Sequence, residues 1–206
     1  MHWPEEWGGA DAPLGKQFVY QEELAYANAP AGTPASNITG AVMLHASGEM
    51  KQRFLPRMAK NEVDWAQSFS EPNAGTDLAS LQTRAVEDGD DFVVTGQKIW
   101  TSFASEAHYC YLVARTDPES QRHKGISEIL VPMDATGITV RPIRDMVGED
   151  HFGEVFFDEV RVPRRWLIGT LDRGFYHYNR NFRRSHWVTA LLILFLKFFQ
   201  TRPRDH

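Results

Sequence analysis

The run Ser68-Phe69-Ser70-Glu71-Pro72-Asn73-Ala74-Gly75-Thr76-Asp77 and the shorter run Trp100-Thr101-Ser102 gather the residues whose types could engage a ligand. Hydroxyls at Ser70, Thr76, Thr101 and Ser102 can donate or accept hydrogen bonds, and the Trp100 indole offers a flat apolar face. Pro72 has no N–H to give to a ladder, while Asn73 and Gly75 tolerate turn conformations, so the first run leaves its strand as a loop. The chemistry this implies is recognition: polar contacts from a loop, backed by an aromatic surface. Glu71, held between Ser70 and Pro72, reads as a residue that bonds the turn rather than as a base. No Ser-His-Asp or GxSxG arrangement is present. His108 and Cys110 fall at i and i+2, on one face of an expected strand, with no third or fourth metal ligand in evidence. Arg141, Arg144, Arg161, Arg164 and Arg165 read as a solvated or interface set.

Both runs end strands. Val63, Trp65, Gln67 and Phe69 alternate with Asp64, Ala66, Ser68 and Ser70, a period of two that predicts a strand with unlike faces. Asp88-Gly89-Asp90-Asp91 is a turn signal between Thr83–Val86 and Phe92–Trp100, so the second run closes a hairpin. Further strands are expected at His108–Ala114, Ile126–Val131 and Ile138–Val140, and at Val155–Phe157 with Val160–Val162. No helical pattern intervenes, which predicts an antiparallel β-barrel or sandwich rather than a βαβ fold. Ahead of it, helices are expected over Lys16–Ala29, over Ser36–Ala46, and from a Ser47 cap through Met58, with Pro56 kinking the last. The fold class is therefore α+β: helices over 1–60, a β-domain over 61–168 and an irregular tail over 169–206.

With 206 residues, 42% of them apolar, the chain can bury a sizeable core. A formal charge of −5 argues against nucleic acid as a partner. The single cysteine, Cys110, permits no internal disulfide and suits a reducing compartment. The N-terminal residues carry neither a secretory apolar core nor an Arg-rich transit composition, so a cytoplasmic, bacterial setting is expected. Trp187–Leu196 is an apolar run of ten residues, against the roughly 20 that span a bilayer, which predicts a surface-lying or disordered tail rather than an anchor.

SEPNAGTD followed by GQKIWTS resembles the middle domain of the acyl-CoA dehydrogenases. The similarity extends to Trp3-Pro4 with Trp7-Gly8-Gly9, Glu22–Ala25, Lys51–Pro56, Lys124–Ser127, Gly137–Pro142 and Glu154–Pro163. That resemblance implies FAD as cofactor, oxidation of the Cα–Cβ bond of an acyl-CoA thioester, and a homo-oligomer. Carried over residue by residue, it assigns Ser70 and Ser102 to hydroxyls that bond the flavin ring, Phe69 and Thr101 to neighbouring contacts, and Trp100 to the indole beside it. Thr76 matches a small hydroxyl residue near the acyl-CoA, where Ser is commoner. The family's catalytic glutamate belongs to a C-terminal helical domain, and no position here matches it. The family's N-terminal helices also begin earlier than this chain does. A chain inactive alone is the resulting expectation. The alternatives are a non-catalytic module that pairs with an intact homologue, and part of a related acyl-CoA oxidase.

Overall fold

The computed structural model describes residues 3–27, 29 and 36–177. The expectations for the tail beyond 177, including the apolar run at 187–196, lie outside the described residues.

Three helices lead the chain: α1 (Leu14–Tyr26), α2 (Ser36–His45) and α3 (Gly48–Ala59). Ser47 caps α3 as expected, its hydroxyl accepting from the Met50 N–H at 3.3 Å and so satisfying one of the helix's unpaired donors. Glu49 in the first turn and Arg57 in the last oppose the ends of the helix dipole favourably. Met50, Phe54, Leu55 and Met58 recur at helical spacing and are all buried, and α3 continues through Pro56 to Ala59. Phe54 is the anchor of that face: its ring meets Trp65, Tyr109 and Trp166 edge-on at centroid distances of 5.4, 5.2 and 5.9 Å.

Eight strands follow: β1 (Trp65–Ser68), β2 (Arg84–Asp88), β3 (Asp91–Ser102), β4 (Tyr109–Arg115), β5 (Ile126–Pro132), β6 (Ile138–Ile143), β7 (Phe152–Pro163) and β8 (Leu167–Ile168). They form one sheet in the order β6-β7-β3-β2-β4-β5-β8, with β1 joined to β4. The pairing is mostly antiparallel, but β1 runs parallel to β4, and β2 meets β4 in parallel at Arg84 and Arg115. The sheet is open, so the expected barrel-like layer is present without closure. The β2–β3 hairpin turns where predicted, with Gly89 at φ 62°, a conformation that costs a residue with a side chain far more.

Val155–Phe157 and Val160–Val162, which the sequence leaves as one strand or two, belong to a single twelve-residue strand, β7. Asp158 and Glu159 form a bulge opposite β3, with Glu159 at φ 50°; the ladder takes up the extra residue and continues.

None of the described helices is long and apolar enough to cross a membrane.

Candidate functional site

A second bulge shapes the site. On β3, Lys98 pairs with Val155 and Thr101 with Gly153, so Ile99 and Trp100 stand opposite one residue too few. The inserted residue breaks the alternation of faces. Lys98 and Thr101, three apart, are both fully buried, while Trp100 swings outward and is 58% exposed. Trp100 has φ 60°, in the left-handed region, where a residue with a Cβ is disfavoured by about 1–2 kcal/mol. Phe152 meets the indole edge-on at 6.2 Å.

The hydroxyl loop is fixed to this bulge from beneath. Glu71 and Ala74 exchange backbone hydrogen bonds at 2.8 and 3.1 Å, folding Pro72 and Asn73 into a tight turn. The Glu71 carboxylate then accepts from the Gln82 N–H at 2.6 Å, the Thr83 N–H at 2.9 Å and the Lys98 ammonium at 2.9 Å. Lys98 also donates to the Phe69 carbonyl at 2.9 Å, and its side chain is wholly buried. Burial works to raise the Glu71 pKa, but the charge of Lys98 and the converging donors outweigh it and leave the carboxyl below its ordinary value. Burial pulls Lys98 downward, and Glu71 partly restores it. Two acceptors at 2.9 Å suit an ammonium, so the pair is held charged.

β3 also approaches this loop closely. A Cβ on Gly96 would lie 2.6 Å from Thr83 Oγ1, so only glycine lets the strand pass so near Thr83. The Ile99 N–H donates to the Ser70 carbonyl at 2.9 Å, and the Ser68 and Thr101 hydroxyls bond each other at 3.2 Å. The two runs are thus zipped side by side.

Not every residue singled out in the sequence faces outward. Phe69, Ser70 and Thr76 line a cleft of about 410 Å³, together with Asp77, Ala79 and Phe175. Trp100, Thr101 and Ser102 do not line that cleft but adjoin it through Ser70 and Ile99. Ser102 is half-buried, and Thr101 turns its hydroxyl inward to Ser68, so a ligand meets at most its backbone. Another cavity, of about 510 Å³, lies beside Arg57, His108 and Asp134 and is lined by no residue of the two runs. The smaller cleft, with its hydroxyls and aromatic ring, is the better candidate.

Other expectations resolve as follows. His108 is exposed and takes the Asp64 N–H on Nδ1 at 3.1 Å, whereas Cys110 is fully buried; the two do not share a face, because β4 begins only at Tyr109. Burial pushes the Cys110 thiol up to about 12, which makes it a core residue. Among the described residues no group of three His, Cys, Asp or Glu could hold a metal ion. The arginines are dispersed: Arg161 pairs with Asp88 and Asp91, Arg164 with Glu87, and Arg141 lies over the Phe156 ring.

Sequence reasoning missed Arg115. Its guanidinium donates to the carbonyls of Ala79 at 2.8 Å, Arg122 and Lys124 at 3.1 Å, and Leu81 and Ser120 at 3.4 Å. It thereby props the cleft wall at Ala79. Its only signal was a cation closing an apolar strand just before a loop.

Models of the acyl-CoA dehydrogenase N-terminal domain and middle domain match residues 1–62 and 66–160. The acyl-CoA dehydrogenase IpdE1 of Mycobacterium tuberculosis is 40% identical over 177 residues, covering 84% of this chain and 46% of that protein. Among solved structures, the Tcur3481-Tcur3483 steroid ACAD superposes with a TM-score of 0.86 at 37% identity, covering 94% of this chain and 50% of that one. The ChsE4-ChsE5 complex from M. tuberculosis gives 0.81 at 37% identity, covering 89% and 48%. The chain spans about half the length of the relatives it matches. With helices leading into an open β-layer, two family models in the order of the two domains, and the hydroxyl loop and Trp100 bulge inside the second, this chain belongs to the acyl-CoA dehydrogenase family.

Proposed function

We propose that these residues form one wall of an FAD site in an enzyme that oxidises the Cα–Cβ bond of an acyl-CoA thioester. The observation that carries the reading is the joining of two runs, the hydroxyl loop and the Trp100 bulge, by the buried Glu71–Lys98 pair. A flavin ring fits this donor set, since its carbonyl and nitrogen edges accept hydrogen bonds and its faces are apolar. Bound FAD would supply the two-electron acceptor for the oxidation. Ser70 and Ser102 would donate to the ring, stabilising the negative charge it gains on reduction. Phe69 and Trp100 would pack against it, and the Thr101 backbone would complete the edge. Thr76, at the open side of the cleft, would meet the acyl-CoA.

The base that removes the α-proton comes, in this reading, from outside the described residues. Glu71 is committed to three donors, and Lys98 holds its charge in the core, so it cannot swing out to take a proton. Asp77 lines the cleft but is exposed to water rather than held in position to take a proton.

Anaerobic titration of the FAD-loaded chain with acyl-CoA thioesters of several lengths tests the assignment. No rapid bleaching of the flavin band is expected from this chain alone. Bleaching abolished by Glu71→Gln and kept in Asp77→Asn would move the base to Glu71 and sink the assignment. The ChsE4-ChsE5 complex among the solved relatives favours a second reading, in which this chain works together with a homologous partner. Size-exclusion chromatography with an intact homologue separates that reading from a self-sufficient enzyme.

A further inference from the structure

Glu128 lies on β5 with its side chain fully buried, and neither carboxylate oxygen meets a donor in full hydrogen-bond geometry. Burial pushes its pKa up to about 8, with the Tyr111 hydroxyl easing part of the cost. Replacing such a group with a hydrocarbon would ordinarily stabilise a fold. Its surroundings suggest what it is kept for. His177 Nδ1 stands 3.9 Å from Glu128 Oε2, and the His177 ring stacks on His45, the last residue of α2, at 4.4 Å and 21°. The turn carrying His177 rests on β5: a Cβ at Gly174 would lie 2.8 Å from the Glu128 nitrogen. Phe175 of the same turn walls the ligand cleft. Across the cleft, Phe69 meets the Tyr111 ring edge-on at 5.3 Å.

The turn has two attachments of different kinds. At Asp172 it is held by hydrogen bonds among small groups: Asp172 N–H to Ser127 Oγ at 2.8 Å and Thr116 Oγ1 to Asp172 Oδ1 at 2.5 Å. At His177 it reaches a buried acid on the sheet, 3.9 Å away. We infer that Glu128 is a positioning residue, which through His177 seats the 173–177 turn and so sets where Phe175 closes the cleft. The inference rests on the cleft being the ligand site proposed above. Tyr111 from β4 and His177 from the turn face Glu128, His45 of α2 stacks on the far side of the His177 ring, and burial favours the acid keeping its proton. Once it leaves, a bare carboxylate remains in the core, and water must reach it by lifting the turn.

Amide hydrogen exchange of peptides spanning 172–177, corrected for the intrinsic pH dependence of exchange, reads this without any ligand. In the natural chain protection of the turn should fall about tenfold as pH rises from 6 to 9, with the β2–β3 hairpin unchanged. Glu128→Gln should abolish that dependence. Glu128→Leu should raise the melting temperature while speeding exchange in the turn about tenfold, a combination that a purely structural acid would not give. A pH profile that persists in Glu128→Gln, or a turn equally protected in Glu128→Leu, would overturn the inference. A chain that takes up no flavin would defeat the functional reading and leave these exchange rates unmoved.

Discussion

Replacing Lys98 with methionine tests how the two ligand-bearing runs are held together. The side chain is fully buried and bridges the Phe69 carbonyl and the Glu71 carboxylate, each at 2.9 Å. Methionine fills similar volume but leaves Glu71 charged in the core, with only the Gln82 and Thr83 N–H groups as donors. Breaking a buried pair from one side costs about 3–5 kcal/mol, because the remaining charge has lost its partner. At this chain length each kcal/mol shifts the melting temperature by about 2–4 °C, so a fall of roughly 6–20 °C is expected. Lys98→Met with Glu71→Leu should recover most of that loss, since no charge is then stranded. The pH dependence should invert as well. With its folded pKa depressed, Glu71 contributes stability that is present above the ordinary carboxylate range and lost as acid titrates it through the lower folded value. Without Lys98, burial raises that pKa, and acid should stabilise the variant relative to neutral pH. The assay is urea unfolding followed by circular dichroism at several pH values. A single variant within about 1 kcal/mol of the natural chain, or a double variant no better than the single, would refute the reasoning.

Three further outcomes are expected. Glu128 has its folded pKa raised to about 8, so the stability tied to its neutral form is full below about pH 4.5 and is lost as pH rises towards 8. That loss is on the order of 5 kcal/mol, and denaturant unfolding of Glu128→Gln should show a flattened profile across the window. Trp100→Gly relieves the left-handed strain while giving up an exposed ring. Its unfolding free energy should stay within about 1 kcal/mol of the natural chain while flavin affinity, followed by fluorescence, falls. Cys110, fully buried, should react with a thiol-specific disulfide reagent only as fast as the chain unfolds, and stoichiometric labelling of the folded protein within seconds would contradict that.

What the sequence disclosed and what it hid follow physical lines. The Asp88–Asp91 turn, the Ser47 cap and the apolar periodicity of α3 are local codes, written in neighbouring residues, and each appears as read. The Trp100 bulge is not local. Strict alternation would put Lys98 and Trp100 on one face; the offset that separates them exists only against the partner strand β7. Whether Val155–Val162 makes one strand or two is hidden for the same reason, since a bulge at Glu159 looks like a strand break until its partner is known. Period-two patterns likewise do not say which way a neighbour runs, and the parallel β1–β4 pair was invisible. Glu128 interrupts an apolar strand as a solvent-facing residue would, and its burial depends on α2 and the 173–177 turn covering that face. Of the candidate site, the residue types were legible; the inward turn of Thr101 and the bracing by Arg115 were not.

Titration of the purified chain with FAD, followed by quenching of flavin fluorescence and by the visible spectrum, bears most directly on the claim that the hydroxyl loop and the Trp100 bulge form one flavin-facing wall. Saturable binding with a shifted flavin band is expected. Ser70→Ala with Ser102→Ala should weaken it by at least about tenfold, because each lost hydrogen bond to a charge-bearing ring is worth about 1.5–3 kcal/mol and 1.4 kcal/mol is a factor of ten. A natural chain that neither quenches the flavin nor shifts its spectrum, or a double variant that binds as tightly as the natural chain, would contradict the account.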